Sequence, residues 1–132
     1  MIVVDASAAV EVFLNTAAGA AARMHLRARQ PAIVPASFDA EVYAALRRTY
    51  LHEGLDRAWL TGAVGQLIRF VAERTEIVSL LPGAIPFADA MGVHDVFYAL
   101  LALKHDCPLL TCDRRLARAA SRSGIEVVAI AG

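Results

Sequence analysis

Apolar positions recur along the chain in two rhythms. Short β-branched or leucine runs, bounded by turn or polar residues, read as buried strands. Ile2-Val3-Val4 is the first, Ala32-Ile33-Val34 the second, ended by Pro35, and Pro108 to Thr111 a later one. Thr75 to Leu80 and Ile125 to Ile130 complete the predicted strands. Between them the spacing turns helical. Ala6 to about Asn15 and a second segment through about Arg29 form one pair of helices. Ser37 stands as N-cap to a helix from Phe38 to about Tyr50, with Phe38, Val42 and Leu46 on one face at four-residue spacing. Gly54 breaks the chain, and Leu55, Trp59, Leu60, Val64, Leu67, Ile68 and Val71 then keep helical spacing. Pro82 to Pro86 reads as a turn region. Val93 to His105 is a nearly all-apolar helix and therefore central; Asp113 to Arg122 is the last helix, with Gly124 as its C′ residue.

Strands alternating with helices predict an α/β fold, a parallel central sheet flanked by helices in three layers. At 132 residues, without repeats or a linker-like segment, the chain reads as one domain over 1–132. It is 58% hydrophobic, enough for a real core with apolar surface left for a partner. Charges such as Arg69, Glu73 and Lys104 interrupt every apolar segment, so no membrane span is expected. The start, Met1-Ile2-Val3-Val4-Asp5, lacks the basic region of a signal peptide. With Cys107 and Cys112 as the only cysteines, this points to a reducing cytoplasm. The formal net charge of zero argues against a general nucleic-acid coat protein, but leaves room for a local basic patch.

In open parallel sheets ligands bind beyond the carboxyl ends of the strands. Asp5 directly follows the first strand, and Glu41 lies one turn into the helix after the second. Asp95 sits in the first turn of the central helix; Thr111 and Asp113 end the fourth strand, where alternation points both to one side and Cys112 away. Four carboxylates from four segments thus converge on one rim. Each also has a structural alternative: Asp5 and Asp113 as helix caps, Asp95 as a partner of the helix dipole, Glu41 as a solvated residue. Clustered carboxylates repel, and a magnesium or manganese ion relieves that repulsion, because hard cations want oxygen ligands. No glycine-rich loop follows the first strand, which argues against dinucleotide or P-loop binding. His25, His52, His94 and His105 show no zinc spacing with the cysteines; His94, beside Asp95, is the histidine of interest.

These segments resemble the four motifs of PIN domains. Ile2-Val3-Val4-Asp5-Ala6-Ser7 is similar to the opening motif and Glu41-Val42-Tyr43-Ala44-Ala45-Leu46-Arg47-Arg48 to the second. His94-Asp95-Val96-Phe97-Tyr98-Ala99-Leu100 resembles the third, and Pro108-Leu109-Leu110-Thr111-Cys112-Asp113-Arg114-Arg115-Leu116 the fourth. The resemblance, strongest to VapC-type toxins, covers essentially the whole chain in order. It implies a magnesium-dependent endoribonuclease, the toxin of a type II toxin–antitoxin pair, inhibited by a cognate VapB-type antitoxin. It makes Asp5, Glu41, Asp95 and Asp113 the metal-binding acids, with Ser7 and Thr111 as accompanying hydroxyls. One departure stands out: Met91-Gly92-Val93 lacks the basic residue that related toxins often carry before the third acid.

Arg114, Arg115 and Arg118 beside Asp113 are candidate RNA contacts, Arg114, Arg118 and Arg122 falling at four-residue spacing; a solvated basic face is the alternative, and Arg47 and Arg48 share that ambiguity. The apolar stripe from Leu55 to Val71, near Tyr43, Leu46 and Tyr50, marks a candidate homodimer face. Two other functions compete. A receiver-type signalling domain needs an acidic pair after the first strand and a lysine at a late strand end, whereas Asp5 stands alone and the only lysine is Lys104, in mid-helix. A PIN-like domain that only binds RNA or a partner does not need all four acids.

Overall fold

The computed structural model describes residues 1–131. Five short strands form one parallel sheet in the order β3-β2-β1-β4-β5. They are β1 (Ile2–Val4), β2 (Ala32–Pro35), β3 (Glu73–Thr75), β4 (Leu109–Thr111) and β5 (Val127–Ala129). The central strands are apolar on both faces because helices cover both. Ile2, Val3, Val4, Val34, Leu109 and Leu110 are fully buried.

The chain leaves β1 through α1 (Ala6–Phe13) and α2 (Ala17–Ala28), and reaches β2 beside it. It continues outward through α3 (Phe38–His52) and α4 (Arg57–Arg69) to edge strand β3. It then returns through the short helix α5 (Leu81–Ala84), a 3₁₀ turn at Ile85–Phe87 and the central helix α6 (Asp95–His105) to β4, on the other side of β1. Helix α7 (Arg114–Arg122) leads to β5. Strand order therefore reverses between β1 and β4, and the crevice of a parallel sheet opens beyond the strand ends at such a point.

The helical reading holds for the main faces, although α6 begins at Asp95 and not at Val93. Phe38, Val42 and Leu46 are fully buried along one face of α3, and Val96 to Ala99, Leu101 and Ala102 bury α6 against the sheet. Asn15, with φ 56°, closes the turn after α1, and Gly124, with φ 81°, follows the end of α7 as expected.

Several expectations change. The third strand lies at Glu73–Thr75, ahead of the apolar run at 75–80. Its pairing to β2 sets its place, and Arg74 secures it by a two-pronged ion pair to Asp39 of α3 at 2.7 and 2.9 Å. Residues 82–86 form helical turns, not an open turn region. Ser37 does not cap α3: its backbone is helical and its hydroxyl turns to Glu41. The α4 stripe is divided, with Ala63 and Leu67 buried while Ile68 is exposed and Val71, just beyond the helix, is 82% exposed.

Candidate active site

Asp5 is fixed by the two strands that meet at the crevice. Its backbone N–H donates to the Leu110 carbonyl at 2.9 Å, so the residue leaves β1 pinned to β4. Its side chain is buried, and the Thr111 hydroxyl donates to Oδ2 at 2.8 Å. The Ser7 hydroxyl donates to the same oxygen at 2.5 Å and in turn accepts the Cys112 N–H at 3.0 Å. Thr111 Oγ1 accepts the Asp113 N–H at 2.9 Å. The first helix thus receives no side-chain cap from Asp5, whose carboxylate is committed to the hydroxyl pair.

The other acids arrive at helix starts, because helices returning across a parallel sheet begin at its carboxyl rim. Glu41 sits in the first turn of α3, where Ser37 Oγ and Tyr98 Oη donate to Oε2 at 3.1 and 3.0 Å. His94 Nδ1 lies 3.9 Å from the same oxygen. Asp95 opens α6. Asp113 caps α7, accepting from the N–H groups of Arg115 at 2.9 Å and Leu116 at 3.3 Å. For Asp113 the capping role is real, and its second oxygen is not engaged in those bonds.

Asp5, Ser7, Glu41, Asp95 and Asp113 line one groove of about 690 Å³, with Thr111 buried beneath Asp5. Ala44, Ala45 and Arg48 of α3 extend the groove, and Val10 and Glu11 of α1 form part of its wall. Cys112 also lines it, contrary to simple alternation, because the chain bends at Cys112 where β4 has ended. The basic residues divide. The positive charge of Arg115 acts on Asp95, whereas Arg114 and Arg118 line an adjoining small hollow that shares Cys112 and Asp113 with the groove.

The electrostatics are those of a partly buried acid cluster. Burial holds the Asp5 carboxyl above its ordinary range; the Ser7 and Thr111 hydrogen bonds oppose this, and the charge of Asp113 adds to it. Asp95 is raised by burial and by the charges of Asp113 and Asp5, against Arg115 and His94. Glu41 is raised by burial, against the Tyr98 bond, His94 and Ser37, with Asp5 adding to the rise. Burial and Glu41 push the Tyr98 phenol far above its ordinary value, so it remains a proton donor.

The four acids and their hydroxyls offer hard oxygen donors, which suit a magnesium-like cation better than zinc, although His94 and Cys112 also line the groove. Among the described residues no three His, Cys, Asp or Glu side chains form a ready cage for an ion. Magnesium does not require one: it usually keeps several waters and binds one or two carboxylates. A second, apolar hollow of about 780 Å³, lined by residues such as Leu81, Ile85 and Val93, holds no titratable group and lies outside this chemistry.

Sequence reasoning missed the parts played by Tyr98 and Ser37. Their signals were present: Tyr98 follows Asp95 by three residues on α6, and Ser37 precedes Glu41 by four at the start of α3.

Comparison with known proteins gives concordant results. Residues 2–122 match the family model described as PIN domain. Ribonuclease VapC3 of Mycobacterium tuberculosis is 38% identical over 118 residues, 89% of this chain and 86% of the relative. Ribonuclease VapC12 of the same organism is 37% identical over 136 aligned positions, 98% of this chain and 100% of the relative. Among solved structures, PAE2754 from Pyrobaculum aerophilum superposes with a TM-score of 0.60 at 19% identity, covering 96% of this chain and 90% of that one. FitAcB from Neisseria gonorrhoeae gives a TM-score of 0.51 at 17% identity, with 96% of each chain covered. At these identities the structural likenesses speak for the fold.

Proposed function

The chain belongs to the PIN domain family, and from that premise we propose that it is a divalent-metal-dependent endoribonuclease, the toxin of a type II toxin–antitoxin pair. One observation carries the reading: four carboxylates from four separate segments line one groove at the switch point of the sheet, with two hydroxyls locked onto the most buried of them. The relatives named as VapC ribonucleases supply the substrate class.

Asp5 and Asp95 are the residues proposed to hold Mg²⁺ or Mn²⁺ directly, and Glu41 and Asp113 would support the site through water or a second ion. A bound divalent ion acidifies water and offsets charge on the scissile phosphodiester. The chain supplies the remaining work. Ser7 and Thr111 fix the orientation of the Asp5 carboxylate, and burial keeps solvent from that side of it. Arg115 beside Asp95 and Arg48 further along the groove are placed to meet backbone phosphates, with Arg114 and Arg118 on the neighbouring hollow as further contacts. The partners that follow are RNA, a cognate VapB-type antitoxin that blocks the groove, and a second copy of the chain. Among the described residues no helix is long and apolar enough to cross a membrane, and the cysteines are free; the cytoplasm is the proposed compartment.

The test is cleavage of RNA by the purified protein with magnesium or manganese, and its loss in EDTA. A protein that binds RNA but does not cut it with either metal would instead support a non-catalytic binding domain.

A further inference from the structure

Tyr98 is fully buried in α6, and a buried phenol needs a hydrogen-bond partner. Many partners would satisfy that need. Its hydroxyl donates to Glu41 Oε2, 3.0 Å away on α3 and 57 residues distant in sequence. Ser37 Oγ donates to the same oxygen at 3.1 Å, and His94 Nδ1 lies 3.9 Å from it. All three neighbours therefore gather on Oε2, which leaves Oε1 for a ligand in the groove. Ser37 belongs to the same helix start as Glu41 and cannot relate α3 to another element. Tyr98 can: it lies three residues after Asp95, one turn along the helix that Asp95 opens.

We infer that Tyr98 is a positioning residue that ties Glu41 to the helix bearing Asp95, setting the distance between the two carboxylates across the groove. This rests on the metal-dependent ribonuclease reading above. An apolar residue of similar size would fill the same core volume but leave Glu41 tied to α6 only by the exposed His94, 3.9 Å away, with no hydrogen bond from that helix. Residues that orient metal ligands commonly change metal affinity or activity by about 10–100-fold when removed.

Tyr98→Phe removes the hydroxyl and keeps the ring. The first readout does not depend on turnover: the magnesium concentration at the midpoint of the metal-induced rise in Tm. It is expected to move up by about 10-fold in Tyr98→Phe. In cleavage assays at fixed magnesium, kcat falls by a similar factor while KM for RNA stays near wild type. In the Glu41→Gln background, Tyr98→Phe adds no further change, because its effect passes through Glu41. Ser37→Ala, which removes the other hydroxyl donor to Oε2 but leaves the tie to α6, shifts the midpoint less than Tyr98→Phe; if Tyr98→Phe does not fold, Tyr98→Leu removes the same hydroxyl and is expected to move the midpoint up likewise. A Tyr98→Phe protein that titrates with magnesium like wild type, or an effect that persists fully in Glu41→Gln, overturns the inference and makes Tyr98 a core residue only. If the wild-type protein itself shows neither a magnesium shift nor cleavage, the ribonuclease reading fails first and this inference falls with it.

Discussion

Thr111 Oγ1 donates to Asp5 Oδ2 at 2.8 Å while accepting the N–H of Asp113 at 2.9 Å, so one hydroxyl connects two of the four acids. The bond spans the point where strand order reverses, and it sets the end of β4 against the end of β1. Thr111→Val keeps the shape, removes a donor to a buried carboxylate and orphans the Asp113 N–H. Its expected cost is about 1–3 kcal/mol of stability. Cleavage should fall by at least about 10-fold, as for other groups that orient metal ligands. Urea unfolding and single-turnover cleavage measure the two effects, and Thr111→Ser should restore most of both.

Asp113 caps α7 and is also one of the four proposed ion-binding acids, and substitution can separate the two. As the N-cap of α7 it contributes about 1 kcal/mol, and Asn caps as well as Asp. Asp113→Asn should therefore keep the cap, be at least as stable as wild type without metal because a charge that raises Asp5 and Asp95 is gone, and lose activity, whereas Asp113→Ala should lose the cap and activity. Equal activity in Asp113→Asn and wild type would reduce this residue to a cap.

The metal-free protein should respond to pH in a definite direction. Asp5, Glu41 and Asp95 have folded-state values raised above their ordinary 3.8, 4.5 and 3.8. A group raised on folding contributes stability that is fully present below its unfolded pKa and lost as pH rises through the folded one. In EDTA this cluster thus disfavours the folded state at neutral pH, and the penalty is relieved on acidification towards pH 4. Asp95→Asn should raise the metal-free Tm at pH 7, flatten its dependence on pH, and shrink the magnesium-induced rise. A capping or dipole role alone predicts a lower metal-free Tm for the variant.

The arginines should separate by position. Arg48→Ala, in the acid groove, and Arg115→Ala, whose charge acts on Asp95, should weaken RNA binding across sequences and lower its salt dependence by about one unit of slope each. Arg122→Ala, at the far end of α7, should change little. Binding titrations at several salt concentrations would show the contrast, and equal losses at all three positions would favour diffuse attraction.

Much of this site was legible because chain and sheet impose it. A carboxylate directly after a buried β-branched run, as at Asp5, has few places to be other than the rim, and Asp95 at the start of an apolar helix is similarly placed. The edge strand was not legible. Glu73 and Arg74 are exposed and charged, as sheet edges often are, and only pairing to β2 makes them a strand. The apolar residues after them, Ile77 and Leu80, pack on the core from irregular structure instead. Tyr98 was hidden because a tyrosine inside an apolar run reads as filling. Its hydroxyl has meaning only once α3 is in place. Ser37 fits the capping pattern, yet its backbone is already helical, and Glu41 four residues on offers its hydroxyl a charged acceptor.

The central claim is that Asp5 and Asp95 together make the groove a metal-dependent RNA-cutting site. The most direct test is the single-turnover rate of RNA cleavage in magnesium for wild type, Asp5→Asn and Asp95→Asn, each shown to be folded by its thermal melt. The expected result is metal-dependent cleavage by the wild type, abolished by EDTA, and loss of most of the rate in each variant. Undiminished cleavage by both folded variants would contradict the account and move the chemistry to another part of the molecule.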